Sequence, residues 1–214
     1  MRFEAVFLGY FVSLGMTGAL QAPIPGYGVE ELEWEVEVTP GGEMVKANGT
    51  VEQVVAHLKT LNPNFDDDYA VQEGRNLTDL EFTAPTAPTG NVSKRYEIES
   101  YFCHGRWAWC ESTYVRNGVD YLNNVRGSPV NGPGPGNCGR VSCSWHAAIW
   151  WCNDNKESKT LGDFRDIADG ASHIERHCSE LAYRPGGIPV IVTSGQVFYK
   201  DHWNVIVRYD SDNC

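Results

Sequence analysis

The run Val141-Ser142-Cys143-Ser144-Trp145-His146-Ala147-Ala148-Ile149-Trp150-Trp151 holds no acid, lysine or arginine. An uncharged stretch so rich in aromatic and β-branched side chains reads as a buried strand. Trp145 and Trp151 share one parity and Trp150 the other, so one face faces a core and the other is open to become an exposed aromatic patch. Working outward, Val115, Val119, Leu122 and Val125 recur at helical spacing and place a helix over 112–125, with Gly118 as its weak point. On the far side Leu161, Phe164, Ile167, Ala168, Ala171, Ile174 and Cys178 share a face. They predict an amphipathic helix over 160–178 with Thr160 as its cap. Residues 195–199 and 203–209 alternate and read as two strands joined by a tight turn at Asp201-His202. Helix, strand, helix, strand, strand is the order of an α+β protein, here a small α/β sandwich with an antiparallel sheet.

The N-terminal half is built differently. Leu32, Trp34, Val36 and Val38 alternate with glutamates, as in a half-buried strand, and Pro40-Gly41-Gly42 turns the chain toward a returning strand at 43–47. Thr50 and Gln53 have the spacing of a capping box ahead of the apolar stripe Val51, Val54, Val55, Leu58, Leu61. Residues 30–63 thus form a ββα module, and 64–95 a polar linker containing Ala84-Pro85-Thr86-Ala87-Pro88-Thr89.

Charge and cysteine divide the chain at the same place. The net charge is -11, from 17 basic and 28 acidic side chains, and residues 1–95 carry most of it while holding none of the seven cysteines. An acidic chain is a poor grip for nucleic acid, so no nucleic-acid partner is expected unless the protein is ribonuclease-like. Residues 1–22 have the basic start, apolar run and small-residue end of a secretory signal. The sequons at Asn48, Asn76 and Asn91 all precede the dibasic pair Lys94-Arg95, and none follows it. The layout predicts a glycosylated acidic pro-region over 23–95, removed by a processing protease that cuts after Arg95, and a mature cysteine-rich domain over 96–214. Both are expected outside the cell, where disulfides persist.

No Cys-x-x-Cys pair exists, so no zinc ribbon or thioredoxin-type motif is present. Six cysteines, Cys103, Cys138, Cys143, Cys152, Cys178 and Cys214, are expected to bridge, in a connectivity that spacing leaves open. Cys110 is the choice for the odd thiol, beside Trp107 and Trp109 that would bury it. His173 and His177 stand four apart on one helical face but lack a third ligand at clear spacing, so no metal and no cofactor is assigned. His104 and His146, with Arg140 as a cation, are the candidates for an acid–base site. Trp107, Trp109 and Trp145 are the candidates for a binding face, with core packing as the plainer fate of any tryptophan.

The run Gly132-Pro133-Gly134-Pro135-Gly136-Asn137-Cys138-Gly139-Arg140-Val141-Ser142-Cys143-Ser144-Trp145, with Ala148-Ile149-Trp150-Trp151-Cys152-Asn153-Asp154 and Trp203-Asn204-Val205-Ile206-Val207-Arg208, resembles a widespread group of fungal small secreted proteins. More loosely, the order of Cys103 and Cys110, Cys178, Gly195-Gln196 and a last strand ending at Cys214 is similar to smut-fungus killer toxins and the effectors built like them. The resemblance implies an α/β sandwich and, in the toxins, interference with cation channels; the reading adopted is a toxin-like or effector-like protein that acts by binding, leaning away from catalysis. Its partner would be a host or competitor protein, a membrane protein or a cell-wall glycan. The alternatives are a small secreted hydrolase of the ribonuclease kind and a glycan-binding protein.

Overall fold

The computed structural model describes residues 20–70, 96–211 and 214. Residues 1–19 of the expected signal (1–22) and the expected sites at Asn76, Asn91, Lys94 and Arg95 lie outside the described residues. Before the linker come β1 (Gly28–Val29), β2 (Glu33–Glu37), β3 (Met44–Asn48), α1 (Val51–Leu61) and α2 (Phe65–Ala70). After it come β4 (Ile98–Cys103), β5 (Cys110–Glu111), α3 (Ser112–Asn124), β6 (Gly127–Asn131), β7 (Asn137–Ser144), β8 (Ala147–Asn153) and β9 (Lys159–Thr160). The chain continues through α4 (Arg165–Cys178), β10 (Glu180–Arg184), β11 (Ile188–Thr193), β12 (Gly195–Tyr199) and β13 (Trp203–Tyr209). The fold is α+β and disulfide-bonded, and its strand pairs are antiparallel except for β1 with β7.

The main sheet runs β1-β7-β8-β13-β12-β4. Helices α3 and α4 lie together on one face of it. There Ile149, Trp151, Val197, Val205 and Val207 meet Val115, Leu122, Ile167, Ala171 and Ile174. The opposite face is also covered: Ala148, Trp150, Cys152 and Ile206 pack with Ile24, Trp107 and Cys138. Both faces of β8 are therefore buried, which is why its sequence is continuously apolar instead of alternating. Gly118 lets α3 approach this sheet closely, since a Cβ there would collide with Ser142 Oγ and crowd Ile149.

Disulfides hold the strands to one another and to α4. Cys103–Cys178 joins β4 to the end of α4, Cys138–Cys152 joins directly opposed residues of β7 and β8, and Cys143–Cys214 pins residue 214 to β7. Cys110 is unpaired and buried. Its Sγ donates to the Thr193 carbonyl at 3.4 Å, and burial pushes its pKa up to about 12, so it is a neutral core thiol and not a nucleophile.

Several expectations need correction. The polar linker does not begin at 64: residues 65–70 form α2, whose Phe65 and Tyr69 are buried in the main core because they stand four apart on one face, with Asp66 and Asp67 between them facing outward. Residues 141–151 are not one strand: β7 ends at Ser144, Trp145 and His146 form a turn, and β8 returns. The second long helix begins at Arg165, because Thr160 is drawn into β9, opposite Val130 of β6, instead of capping. Strands β4, β10 and β11 were not anticipated, because they leave side chains exposed on both faces and so carry no periodic signal.

The ββα elements form as the sequence predicts, capping box included, with Gln53 Oε1 accepting the Thr50 N–H at 2.9 Å. Their surroundings are what the sequence does not show. Strand β2 is a middle strand of a second sheet, β3-β2-β6-β9, lying between β3 and β6. Leu32, Trp34, Val36, Val51, Val54, Val55 and Leu58 belong to the same core as Trp151 and the α3 and α4 stripes. Trp34 stacks on Phe164 with ring centroids 4.4 Å apart.

Candidate functional site

The turn between β7 and β8 has only Trp145 and His146 between the last paired residues, Ser144 and Ala147. Their φ angles are 48° and 65°. A two-residue hairpin turn with both central residues at positive φ is the turn for which Asn-Gly is favoured, and a bulky side chain there is strained, at about 1–3 kcal/mol per residue. The surroundings hold it in place. The Asp210 N–H donates to the His146 carbonyl at 2.9 Å, while His146 Nδ1 stands 3.0 Å from the Asp210 carbonyl and the imidazole stacks on Tyr209 at 5.0 Å. The Cys143–Cys214 bridge adjoins the turn, and Tyr114 stacks on Trp145 at 5.8 Å. The result is a tryptophan held by a fixed backbone and 71% exposed.

Trp145 and His146 form one wall of a groove of about 340 Å³. Trp109 and Tyr209 line it as well, and the β10–β11 hairpin supplies Tyr183, Arg184, Ala182 and Val190. Arg184 Nε donates to Glu111 Oε1 at 2.8 Å, which places a charged, hydrogen-bonding pair beside the rings. Trp109 is 47% and Tyr183 66% exposed. Leu181 and its cross-strand partner Ile191, on the same hairpin, are exposed as well.

The structure thus brings Trp109 and Trp145 together and leaves Trp107 out. Trp107 is buried in the second core, with the guanidinium groups of Arg106 at 5.0 Å and Arg208 at 5.7 Å from its ring. Of the acid–base candidates, Arg140 and His146 meet the same Asp210 by different groups, and His104 lies against Trp109. Arg140 Nη1 lies 3.6 Å from Asp210 Oδ2 in a buried ion pair to which Trp150 Nε1 also donates, whereas His146 meets the backbone of the same Asp210. His104 packs edge-on against Trp109 at 5.7 Å. Asn48 is exposed at the end of β3, open to a glycan. Tyr183, Arg184 and Tyr209 were missed. The Pro185-Gly186-Gly187 turn signal after Arg184 would have located the hairpin that carries the first two.

A second cleft, of about 320 Å³, runs along α4 and is lined by Asp166, Asp169, His173 and Arg176 with Tyr96 and Tyr199 opposite. Burial pushes Asp166 up to about 6, reinforced by the nearby Asp163 and Asp169 charges and opposed by the Asp163 N–H that it accepts at 3.2 Å. Burial, then the His177 and Arg176 charges, lower His173. His173 stacks on His177 at 4.1 Å, and no group of three metal-ligating side chains occurs among the described residues. The folded chain keeps the Asp166 proton up to about pH 6, whereas the unfolded chain releases it near 4. The penalty is therefore absent below pH 4, grows between 4 and 6, and is full above. Asp166→Asn is expected to equal the parent in stability at pH 3.5 and, with the penalty partly screened by solvent, to exceed it by about 1–2 kcal/mol at pH 7. Urea unfolding at both pH values measures this, and equal stabilities at pH 7 would show an Asp166 that ionises normally.

No family model, curated protein or solved structure matches this chain.

Proposed function

We propose that the chain is a secreted binding protein of the toxin-like or effector-like kind, which engages a protein target outside the producing cell through the groove beside Trp145. The observation that carries this reading is an exposed tryptophan at a backbone position that disfavours it. Folding alone would favour Asn-Gly in that turn, so the strain implies a demand other than folding. Tryptophan, tyrosine and arginine are the residues that dominate binding energy at protein interfaces, and Trp109, Trp145, Tyr183 and Arg184 all line the groove. Three disulfides suit an oxidising compartment, and no described helix is long and apolar enough to cross a membrane. The resemblance to fungal small secreted proteins and killer-toxin-like effectors supports the same reading. Glycosylation at Asn48, Asn76 and Asn91 and cutting after Lys94-Arg95 belong to it.

Trp145→Gly tests it with two readouts of opposite sign. Relief of the strained φ is expected to raise stability by about 1 kcal/mol. Saturable binding to the surface of susceptible cells is expected to weaken at least about 30-fold, since interface tryptophans cost about 2 kcal/mol or more when truncated. Protease treatment of the cells should abolish binding. Binding that survives protease but is lost on glucanase or chitinase treatment would replace the protein target with a wall glycan, and unchanged binding by Trp145→Gly would remove the groove from the mechanism. A hydrolase reading finds its support in the α4 cleft, where Asp166, its pKa raised to about 6 by burial, lines the same cleft as His173. Turnover of RNA or esters that Asp166→Asn abolishes would favour it.

A further inference from the structure

Residues 20–70 contain no cysteine, so only the main chain through 71–95 ties them covalently to 96–214. The non-covalent joint is extensive. Strand β2 pairs with β6 from Glu33 opposite Val130 to Val36 opposite Gly127, and β1 runs parallel to β7 with Gly28 opposite Asn137 and Val29 opposite Cys138. Trp34 covers Phe164. Gly139 leaves the space that Leu32 fills, since a Cβ there would overlap the Leu32 side chain. Polar groups close the edges of the joint. Glu30 accepts from the Gly132 N–H at 3.0 Å and from Asn137, Glu52 accepts from Ser142 Oγ at 2.5 Å, and the Tyr27 hydroxyl donates to Asp154 at 3.1 Å. Residues 96–214 thus carry a surface shaped for residues 20–70. Without them β6 would lose its β2 partner, Phe164 would lose the Trp34 ring stacked on it, and the side of α3 that meets α1 would be uncovered.

We propose that cutting the chain after Arg95 does not release 96–214 as a free domain. The product is a two-chain protein in which the N-terminal segment stays bound as a permanent second chain, filling the β6–Phe164–Gly139 surface. This rests on the processing reading for the place of the cut, but not for the pairing. The two parts share one apolar core, the character of obligate interfaces, which resemble a domain core cut in half.

The test uses the full secreted chain, cut by a Lys-Arg-directed endoprotease and checked on a denaturing gel for two fragments. At 1 µM in native buffer the fragments are expected to co-elute in 1:1 ratio at the volume of the uncut secreted chain, and to separate only in denaturant. Leu32→Ala in the cut protein is expected to raise the dissociation constant at least about 30-fold, as a buried leucine truncated at a packed contact does. A folded 96–214 fragment that elutes alone at 1 µM overturns the proposal, as does a Leu32→Ala protein that dissociates no more readily than the parent. Resistance to the endoprotease counts against the processing reading alone, because a foreign protease site inserted between residues 71 and 95 then makes the cut and the same two measurements decide the pairing.

Discussion

Replacing Trp34 by alanine is expected to destabilise the whole chain by about 3–5 kcal/mol. The indole is 1% exposed, lies 4.4 Å from the Phe164 ring at an interplanar angle of 12°, and donates from Nε1 to the Gly49 carbonyl at 2.8 Å. Truncation therefore opens a cavity at the joint between the two sheets, removes a ring stack and leaves the Gly49 carbonyl without that donor. The decisive feature is where the loss is felt. Trp34 precedes every cysteine, yet its main contact, Phe164, lies in the cysteine-rich part. In urea, near-ultraviolet circular dichroism and a fluorescent label in the cysteine-rich part should move together to the lower midpoint. A label whose transition stays in place while the ββα elements melt early would mean that the two parts fold separately.

Removing the Cys103–Cys178 bridge by a double serine substitution is expected to cost about 4 kcal/mol, and removing Cys143–Cys214 about the same. The Cys138–Cys152 bridge is expected to cost about 3 kcal/mol. The ordering follows from chain entropy: the bridges close loops of 75, 71 and 14 residues, and a longer loop constrains the unfolded chain more. Cys178 is also 1% exposed, with its sulfur close against Gly195 and Ile174, so serine there adds a buried polar group. Against a typical domain stability of about 5–15 kcal/mol, loss of either long-range bridge takes away much of the fold. The check is the urea midpoint of each double variant, with unpaired thiols counted by mass. If the short Cys138–Cys152 loop proved the costliest to open, local strand packing rather than chain entropy would set the contribution.

What the sequence disclosed divides along physical lines. Helices α1 and α3 were legible because one face of each is buried and the other wet, which leaves a 3.6-residue period and, for α1, a capping box. Strand β13 was legible by alternation, although its neighbours bury it on both sides. The β7–β8 turn was illegible because Trp145 and His146 are poor residues for it. A reading by propensity runs straight through them, and the conflict between sequence and backbone marks the candidate site. The strands of the β10–β11 hairpin leave no periodic signal, since Leu181, Tyr183, Ile188 and Ile191 are all exposed and no pattern separates inside from outside, so only the Pro185-Gly186-Gly187 turn points to them. The groove draws on residues 109, 145–146, 182–184 and 209, and no local motif spans such distances. The shared core of the two halves was hidden as well. Composition sets them apart by charge and cysteine, whereas packing joins them through apolar side chains that both possess.

The fit of Leu32 into the space above Gly139 has an evolutionary consequence. A larger residue at 139 would need a smaller one at 32, and the two positions lie on opposite sides of the dibasic pair. The halves therefore cannot drift independently or be exchanged freely between diverging lineages, and a leader borrowed from another gene would have to bring its own matching floor with it.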